Sequence, residues 1–223
     1  MSAEVSAVPL AARLRITETF LSLQGEAASV GWPTFFIRLT GCPLRCHYCD
    51  TAYAFHGGEW RTIARLTDEA RESGARHVCV TGGEPLAQRQ CTTLLTVLCE
   101  AGFSVSLETS GAIDAAEVDA RVTRVIDVKT PGSGEAHRNL DFAVHGLRES
   151  DQLKFVICDR ADYEWSRERV RAERLDARCT VLFSPSYRQL PAAQLANWIL
   201  TDRLPVRFQV QLHKLLWGDV PGR

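Results

Sequence analysis

The chain has 223 residues, of which 45% are hydrophobic and 24% are charged. This length and composition predict one soluble α/β domain with a buried core, and a second full domain is not expected. The formal net charge of −1 gives no electrostatic reason to expect binding to nucleic acid or to an anionic membrane, whereas a small charged substrate is compatible with it.

Short apolar, β-branched runs alternate along the chain with stretches of helical spacing. The segment Arg15–Ser22 predicts an edge strand that leads into a functional loop. The other predicted strands are Thr34–Leu39, His77–Val80, Phe103–Leu107, Thr123–Val128, Leu153–Ile157, Thr180–Phe183 and Val206–Leu212. The predicted helices are Thr62–Ser73, Leu86–Ala101, Ala115–Val122, Ala136–Arg148, Ala161–Glu173 and Pro191–Thr201.

This alternation predicts a mostly parallel sheet, open or partly closed as a barrel, whose chemistry collects at the carboxyl ends of the strands. Residues 1–14 are expected to be disordered or loosely packed, and residues 15–223 to form the single domain. No apolar run is long enough to predict a spanning helix, and the N-terminus lacks the pattern of a signal peptide. We therefore expect a cytoplasmic protein.

Three of the eight cysteines, Cys42, Cys46 and Cys49, lie close together directly after the strand Thr34–Leu39. A structural zinc site normally takes four protein ligands, and the chain has no second cysteine pair at zinc-ribbon spacing. Three thiolates instead suit a [4Fe–4S] cluster with one iron open to an exogenous ligand. A zinc knot or chance thiols remain the alternatives, and the five scattered cysteines are expected to be core or surface thiols.

Polar or glycine-rich turns follow four other predicted strands. The glycine pair within Val78–Pro85 permits close approach of the backbone to a ligand, although a plain strand-to-helix turn has the same composition. Leu107–Gly111 and Phe183–Ser186 bring hydroxyl groups to strand ends. Ile126–Thr130 places an aspartate and a lysine at a strand end. The alternative to a ligand-binding role for these two residues is a solvent-exposed ion pair.

The CxxxCxxC pattern followed by the glycine-rich turn resembles the radical S-adenosylmethionine (SAM) superfamily. The stretches Phe20–Glu26, Pro33–Gly41, Asp50-Thr51 and Gln211–Lys214 are similar to those of the 7-carboxy-7-deazaguanine synthase (QueE) family. The likeness covers most of the chain and implies a reduced, partial (β/α) barrel with a mostly parallel sheet of about six to seven strands.

The resemblance implies a carbon–nitrogen lyase that contracts 6-carboxy-5,6,7,8-tetrahydropterin to 7-carboxy-7-deazaguanine and releases ammonia, in the biosynthesis of queuosine and other 7-deazapurines. It also implies a [4Fe–4S] cluster, SAM and Mg²⁺ as cofactors, flavodoxin or ferredoxin as the external one-electron donor, and a homodimer. The tail Leu215–Arg223 continues past the matched motif, so a substrate contact by the chain terminus is not expected.

Carried over residue by residue, the resemblance places the cluster on the three cysteines and a magnesium contact on Thr51. The implied SAM contacts are Tyr48, Asp50, Gly83, Glu84, Ser110, Asp127, Lys129, Phe183, Ser184 and Ser186. The implied pterin contacts are Leu23, Gln24, Gly25, Glu26, Arg38 and Thr81, with Arg38 pairing with the substrate carboxylate. The alternative for Arg38 is an ion pair within the protein, with Glu26 or Asp50 as the partner. The alternative for Thr51 is a helix N-cap role.

Two other functions stay open. A glycyl-radical-enzyme activase would share the cysteine and glycine motifs but would need no pterin pocket. A non-catalytic iron–sulfur or zinc scaffold would use the thiols for stability or electron transfer alone. Several motifs in the same order as in the family favour the ring-contracting enzyme over both alternatives.

Overall fold

The computed structural model describes residues 10–141, 146–220 and 222. Its strands are β1 (Arg13–Leu23), β2 (Pro33–Leu39), β3 (Glu59–Thr62), β4 (His77–Gly82), β5 (Ser104–Thr109), β6 (Thr123–Val128), β7 (Gln152–Ile157), β8 (Thr180–Pro185) and β9 (Arg207–Phe208). Its α-helices are α1 (Ile63–Glu72), α2 (Cys91–Glu100), α3 (Arg160–Glu173), α4 (Ala192–Asp202) and α5 (Leu212–Trp217). Within the described ranges, none of these helices has the length and apolarity to cross a membrane.

The strands form one sheet in the order β3-β1-β2-β4-β5-β6-β7-β8-β9. From β2 onward the neighbouring strands are parallel, whereas β1 is antiparallel to both β2 and β3. In the part of the chain that the structure describes, no ladder joins β3 to β9, so the sheet is an open, partial barrel. The predicted α/β class is confirmed, and the predicted six to seven strands correspond to the parallel part of the sheet.

Two groups of helices cover the sheet. Helices α1 and α2 pack against β1, β2, β4 and β5, where Ile37, Val80 and Leu94 are fully buried. Helices α3 and α4 pack over β6, β7 and β8, around Phe155 and Leu195. Each such side chain contributes roughly 1.5–3 kcal/mol by leaving water. This apolar layer holds the strands in place, so that their carboxyl ends meet at one edge.

The predicted helix Ala115–Val122 is wrong, because this segment forms turns. The carboxylates of Asp114 and Asp119 accept hydrogen bonds from the backbone N–H groups of Ala116 and Arg121 at 2.8 and 2.9 Å. Such local bonds compete with a helix for the backbone. Arg148 also donates to the carbonyls of residues 118 and 119, which a helix would otherwise use.

Other differences follow from contacts between distant parts of the chain. The segment Arg15–Ser22 is an edge strand only in part, because the short strand β3 pairs outside it at Arg15 and Ile16. The predicted strand Val206–Leu212 shortens to β9, because the N–H of Leu212 donates to the Gly25 carbonyl at 3.0 Å and draws the chain away from the sheet. The predicted helix Leu86–Ala101 begins only at Cys91.

Two further predictions fall partly outside the described residues. Of the predicted helix Ala136–Arg148, only a 3₁₀ turn at Ala136–Arg138 is present, and residues 142–145 lie outside the described residues. At the N-terminus, β1 already includes Arg13 and the fully buried Leu14, whereas residues 1–9 lie outside the described residues. Ordered structure therefore begins before residue 15.

A buried ion pair between Arg124 and Asp151 carries a stability prediction. The pair is 3% and 0% exposed, and the Arg124 Nε donates to Asp151 Oδ1 at 3.1 Å. Arg124→Met should lower the free energy of unfolding by about 3–5 kcal/mol, because it leaves a buried carboxylate unpaired. The exposed pair of Arg121 with Asp119 provides the matched control, and Arg121→Met should change little in the same urea titration. Equal effects of the two variants would contradict this account.

Candidate functional site

A cleft of about 620 Å³ opens at the carboxyl ends of the parallel strands, a size suited to small-molecule ligands. The ends of β4, β5, β6 and β8 line it, together with the loops that follow β1 and β2. Of the site residues predicted from the sequence, all line this cleft except Glu84 and Phe183. The strand-end rule therefore brought together residues that are far apart in the sequence.

The cysteine loop leaves β2 through Gly41, whose φ of +99° is a conformation that favours glycine. Leu44 is buried, and the N–H of His47 donates to the Ser133 carbonyl at 3.0 Å. The N–H of Gly41 donates to the Ala54 carbonyl at 2.8 Å. These bonds fasten the loop on both sides while its three thiols face the cleft.

The donor set of the cysteine loop suits an iron–sulfur cluster, because three thiolates can each bind one iron and leave a fourth iron open. Cys42, Cys46 and Cys49 are partly exposed in the same cleft. Among the described residues, no three His, Cys, Asp or Glu side chains are placed to hold one metal ion. A [4Fe–4S] cluster needs wider spacing than a tetrahedral zinc site, because each thiolate binds a different iron. Burial raises the pKa of Cys42 and raises that of Cys46 to about 11, so cluster binding must release protons.

The glycine turn after β4 packs directly against the start of the cysteine loop. The N–H of Gly83 donates to the Leu39 carbonyl at 3.2 Å, and that of Glu84 donates to the Gly41 carbonyl at 2.8 Å. A Cβ at Gly83 would lie 2.3 Å from the Gly41 carbonyl oxygen and 2.8 Å from the Cys42 Cβ. The position therefore requires glycine, because the backbone approaches the cysteine loop closely. The close approach to a ligand that the sequence predicted stays a prediction.

Glu84 and Phe183 do not reach the cleft with their side chains. The carboxylate of Glu84 is fully buried and accepts hydrogen bonds from Thr109 Oγ1 at 2.9 Å and from Ser110 N and Oγ at 2.7 and 2.5 Å. It therefore orients Ser110, which does line the cleft. The Phe183 ring lies in the core, 5.4 Å from the Phe155 ring and 6.1 Å from the Tyr163 ring, measured between centroids.

Three buried polar atoms facing the cleft have no hydrogen-bond partner in the described part of the chain. They are the Tyr48 hydroxyl, Asp127 Oδ1 and the Ser184 hydroxyl. Buried polar groups are nearly always paired in folded proteins. All three belong to the residues predicted to bind SAM. The cleft is thus built for a ligand with many hydrogen-bonding groups, and its residues fit such a cofactor.

A row of alternating charges crosses the floor of the cleft. Lys154 Nζ lies 2.8 Å from Glu26 Oε2 and 3.5 Å from Asp127 Oδ2, and Lys129 Nζ lies 3.1 Å from Asp127 Oδ2. Burial opposes ionisation, but the opposite charges outweigh it, lowering the pKa of Asp127 and raising those of both lysines. Lys154 was not predicted from the sequence. Its only signal is a charge within the apolar run Leu153–Ile157.

Arg38 has an internal partner, but a different one from those considered in the sequence. Its Nε donates to Glu18 Oε1 at 2.8 Å, across the antiparallel pair of β1 and β2, and the Tyr53 hydroxyl donates to the same oxygen at 2.8 Å. The partner is therefore neither Glu26 nor Asp50. The two Nη atoms of Arg38 form no hydrogen bond within the described ranges, which leaves them for a ligand in the cleft.

Glu108 holds two residues of the predicted pterin site and was missed by the sequence analysis. It accepts hydrogen bonds from Thr81 Oγ1 at 2.9 Å and from Gln24 Nε2 at 3.3 Å. The other end of the Gln24 amide accepts from the N–H of Gly25 at 2.8 Å. The Gln24 amide is thus occupied within the protein. A carboxylate at the carboxyl end of β5 was the available signal for Glu108.

The C-terminal helix α5 closes one side of the cleft. A Cβ at Gly25 would lie 2.2 Å from His213 Nδ1, so this glycine allows the imidazole to approach the loop. Burial lowers the pKa of His213, which favours its neutral form. The motif Gln211–Lys214 therefore reaches the site, whereas its similarity to the family predicted no role for a particular residue of it.

Asp50 links the cysteine loop to α5. Its Oδ2 lies 2.8 Å from Lys214 Nζ, and this bond outweighs burial and holds the pKa of Asp50 well below its usual range. Thr51 Oγ1 donates to Asp50 Oδ1 at 3.1 Å and makes no N-cap hydrogen bond to the 3₁₀ turn that follows. Thr51 therefore occupies the N-cap position of that turn without capping it through its side chain, and the residue lines the cleft.

Comparisons with known proteins agree on one family. A family model described as the radical SAM superfamily matches residues 36–172. A 7-carboxy-7-deazaguanine synthase from Chlorobaculum tepidum is 41% identical, covering 93% of this chain and 96% of that protein. One from Koribacter versatilis is 40% identical, covering 92% and 97%. The crystal structure of QueE from Escherichia coli matches with a TM-score of 0.74 at 25% identity, covering 90% of this chain and 95% of that one.

The close approach at Gly83 carries a testable prediction. Gly83→Ala should reduce the iron bound per chain after anaerobic reconstitution about tenfold, because the added methyl group displaces the cysteine loop that is predicted to hold the cluster. Gly102→Ala is the control, since Gly102 has a φ of +90° but open space around its Cβ position. That variant should lower the melting temperature and keep its iron. Normal iron content in folded Gly83→Ala would contradict the prediction.

Proposed function

The chain belongs to the 7-carboxy-7-deazaguanine synthase family of the radical SAM superfamily, and we infer from this how the residues of the cleft serve the family's reaction. The chain is a radical SAM lyase that contracts the ring of 6-carboxy-5,6,7,8-tetrahydropterin to 7-carboxy-7-deazaguanine in deazapurine biosynthesis. The observation that carries this conclusion is the identity to such enzymes over more than nine-tenths of the chain. The activase and scaffold alternatives are therefore set aside.

The family uses a [4Fe–4S] cluster and SAM. When bound, they supply the one-electron chemistry that starts the ring contraction. We place the cluster on Cys42, Cys46 and Cys49. The partial exposure of these thiols in the same cleft supports this placement.

The proposed SAM site uses the unpaired atoms of the cleft. The Tyr48 hydroxyl, Asp127 Oδ1 and the Ser184 hydroxyl would gain partners from the ribose, adenine or amino acid groups of SAM. Ser110 adds a hydroxyl whose position is held by Glu84. The other proposed contacts are Asp50, Gly83, Lys129 and Ser186, while Phe183 supports the strand end from the core.

The proposed pterin site lies between the loop after β1 and the β2 and β4 strand ends. The free Nη atoms of Arg38 suit the substrate carboxylate, because a guanidinium recognises a carboxylate with two parallel bonds. Thr81 and Gln24 form the wall that Glu108 holds in place, and Glu26 contributes its second carboxylate oxygen. Leu23 and Gly25 complete this side.

Mg²⁺ is proposed as a third cofactor, with the Thr51 hydroxyl as its protein ligand. Because Thr51 donates its proton to Asp50, the lone pairs of its oxygen remain for a hard cation. Lys214 keeps Asp50 ionised as the acceptor of that proton. The substrate carboxylate would supply further oxygen ligands.

The reaction needs an external reductant, and we propose flavodoxin or ferredoxin as this one-electron donor. A homodimer and a cytoplasmic location are proposed from family membership, together with a single catalytic domain that includes β1 from Arg13. Neither nucleic acid nor a membrane is proposed as a partner, in keeping with the small net charge.

Product formation tests the function directly. Reconstituted protein incubated anaerobically with SAM, dithionite, Mg²⁺ and the tetrahydropterin should yield the deazaguanine product by mass analysis. Cys46→Ala should yield none, whereas Cys99→Ala, a partly exposed thiol outside the cleft, should keep activity. Formation of 5′-deoxyadenosine without the deazaguanine would leave the superfamily in place and contradict the proposed substrate.

The magnesium proposal has its own test. Thr51→Val removes the hydroxyl at nearly constant volume and should raise the Mg²⁺ concentration needed for half-maximal activity about tenfold or more. Thr51→Ser keeps the hydroxyl and should behave nearly as the unchanged protein does. An unchanged Mg²⁺ requirement in Thr51→Val would remove this residue from the metal site.

A further inference from the structure

Lys154 is the one residue of the charge row that pairs with carboxylates on two different sides of the cleft, among the residues that the structure describes. Glu26 lies in the loop after β1, and Asp127 lies near the carboxyl end of β6. The Lys154 side chain is 13% exposed and stands in register beside Asp127 on the neighbouring strand. It therefore joins the proposed pterin side of the cleft to the proposed SAM side.

Lys154 occupies one oxygen of each carboxylate. It binds Glu26 through Oε2 at 2.8 Å and Asp127 through Oδ2 at 3.5 Å. Asp127 Oδ1 is buried without a hydrogen-bond partner, and Glu26 Oε1 forms no hydrogen bond in the described ranges. With one oxygen anchored, each carboxylate has a fixed direction and keeps its second oxygen for a ligand.

The two carboxylates depend on Lys154 to different extents. Asp127 keeps a second cation, Lys129 at 3.1 Å, whereas Glu26 has no other ion-pair partner among the described residues. A buried carboxylate that loses its only cation must turn toward water or take up a proton. Removal of the Lys154 charge would thus release Glu26 completely and leave Asp127 held from one side only.

A proton-donating role for Lys154 does not fit its surroundings. Burial alone would lower its pKa, but Glu26 and Asp127 outweigh burial and raise the pKa well above its ordinary value. The ammonium therefore stays charged throughout the working pH range. Its role must be electrostatic and geometric.

We propose that Lys154 is a positioning residue shared by the two ligand sites, which holds Glu26 for the pterin and Asp127 for SAM. The inference rests on the proposed function for the identity of the two ligands. In this proposal Lys154 acts on both ligands through the two carboxylates. A loss of Lys154 should therefore weaken both ligands, whereas a loss of either carboxylate should weaken mainly its own ligand.

Equilibrium binding to the reconstituted protein without reductant tests this pattern, because no turnover occurs. The affinities for SAM and for the tetrahydropterin are both measured by calorimetry under anaerobic conditions. Glu26→Gln should weaken the pterin about tenfold and leave SAM unchanged, and Asp127→Asn should do the reverse. Lys154→Met should weaken both about tenfold. Weakening of only one ligand, or of neither, in folded Lys154→Met would overturn the inference.

Two further variants separate positioning from a loss of stability. Lys154→Arg restores the cation and should recover most of both affinities, and equal weakness in Lys154→Arg and Lys154→Met would overturn the positioning role. The double variant Glu26→Gln with Lys154→Met removes the whole pair, so it leaves no unpaired Glu26 charge. It should bind the pterin no more weakly than Glu26→Gln alone, because the two residues act as one unit.

The same titrations distinguish a failure of the inference from a failure of the proposed function. If the unchanged protein does not bind the tetrahydropterin, the substrate assignment fails. If it binds both ligands and Lys154→Met binds them equally well, only the role of Lys154 fails.

Discussion

The site depends on the close contact between two backbone segments, the glycine turn after β4 and the beginning of the cysteine loop. Hydrogen bonds from Gly83 and Glu84 reach back to Leu39 and Gly41, and there is no room for a side chain between them. Because β2 and β4 are neighbouring parallel strands, the sheet itself sets this distance. The three thiols and the SAM side of the cleft are therefore fixed relative to each other by the main chain.

Ion pairs between side chains fix the positions of other groups in the cleft. Alternating lysines and carboxylates keep buried charges paired, and each carboxylate of the row retains one oxygen for a ligand. On the side of the cleft that α5 closes, Lys214 pairs with Asp50 of the cysteine loop. Charges arranged in this way are already oriented before a ligand arrives, so binding requires little reorganisation.

The sequence was sufficient for features that depend on local pattern. The spacing of the three cysteines, the apolar strand runs and the polar strand ends predicted the sheet. Together with the family resemblance they named site residues that all line the cleft except Glu84 and Phe183. It was insufficient where distant contacts decide the outcome. The direction of the Glu84 carboxylate depends on Ser110, and the partner of Arg38 is set by the register of β1. Lys154 enters the site through its ion pairs with Glu26 and Asp127, which lie far from it in the sequence.

The chemistry proposed for the cleft requires three protein thiolates that leave one iron of a cluster open to SAM. Mössbauer spectroscopy of protein reconstituted with ⁵⁷Fe, with and without SAM, measures this most directly. We predict four irons per cluster in the absence of SAM, and a change in the parameters of one of the four when SAM is added. Bound zinc in place of iron, or an iron spectrum that SAM leaves unchanged, would contradict the account.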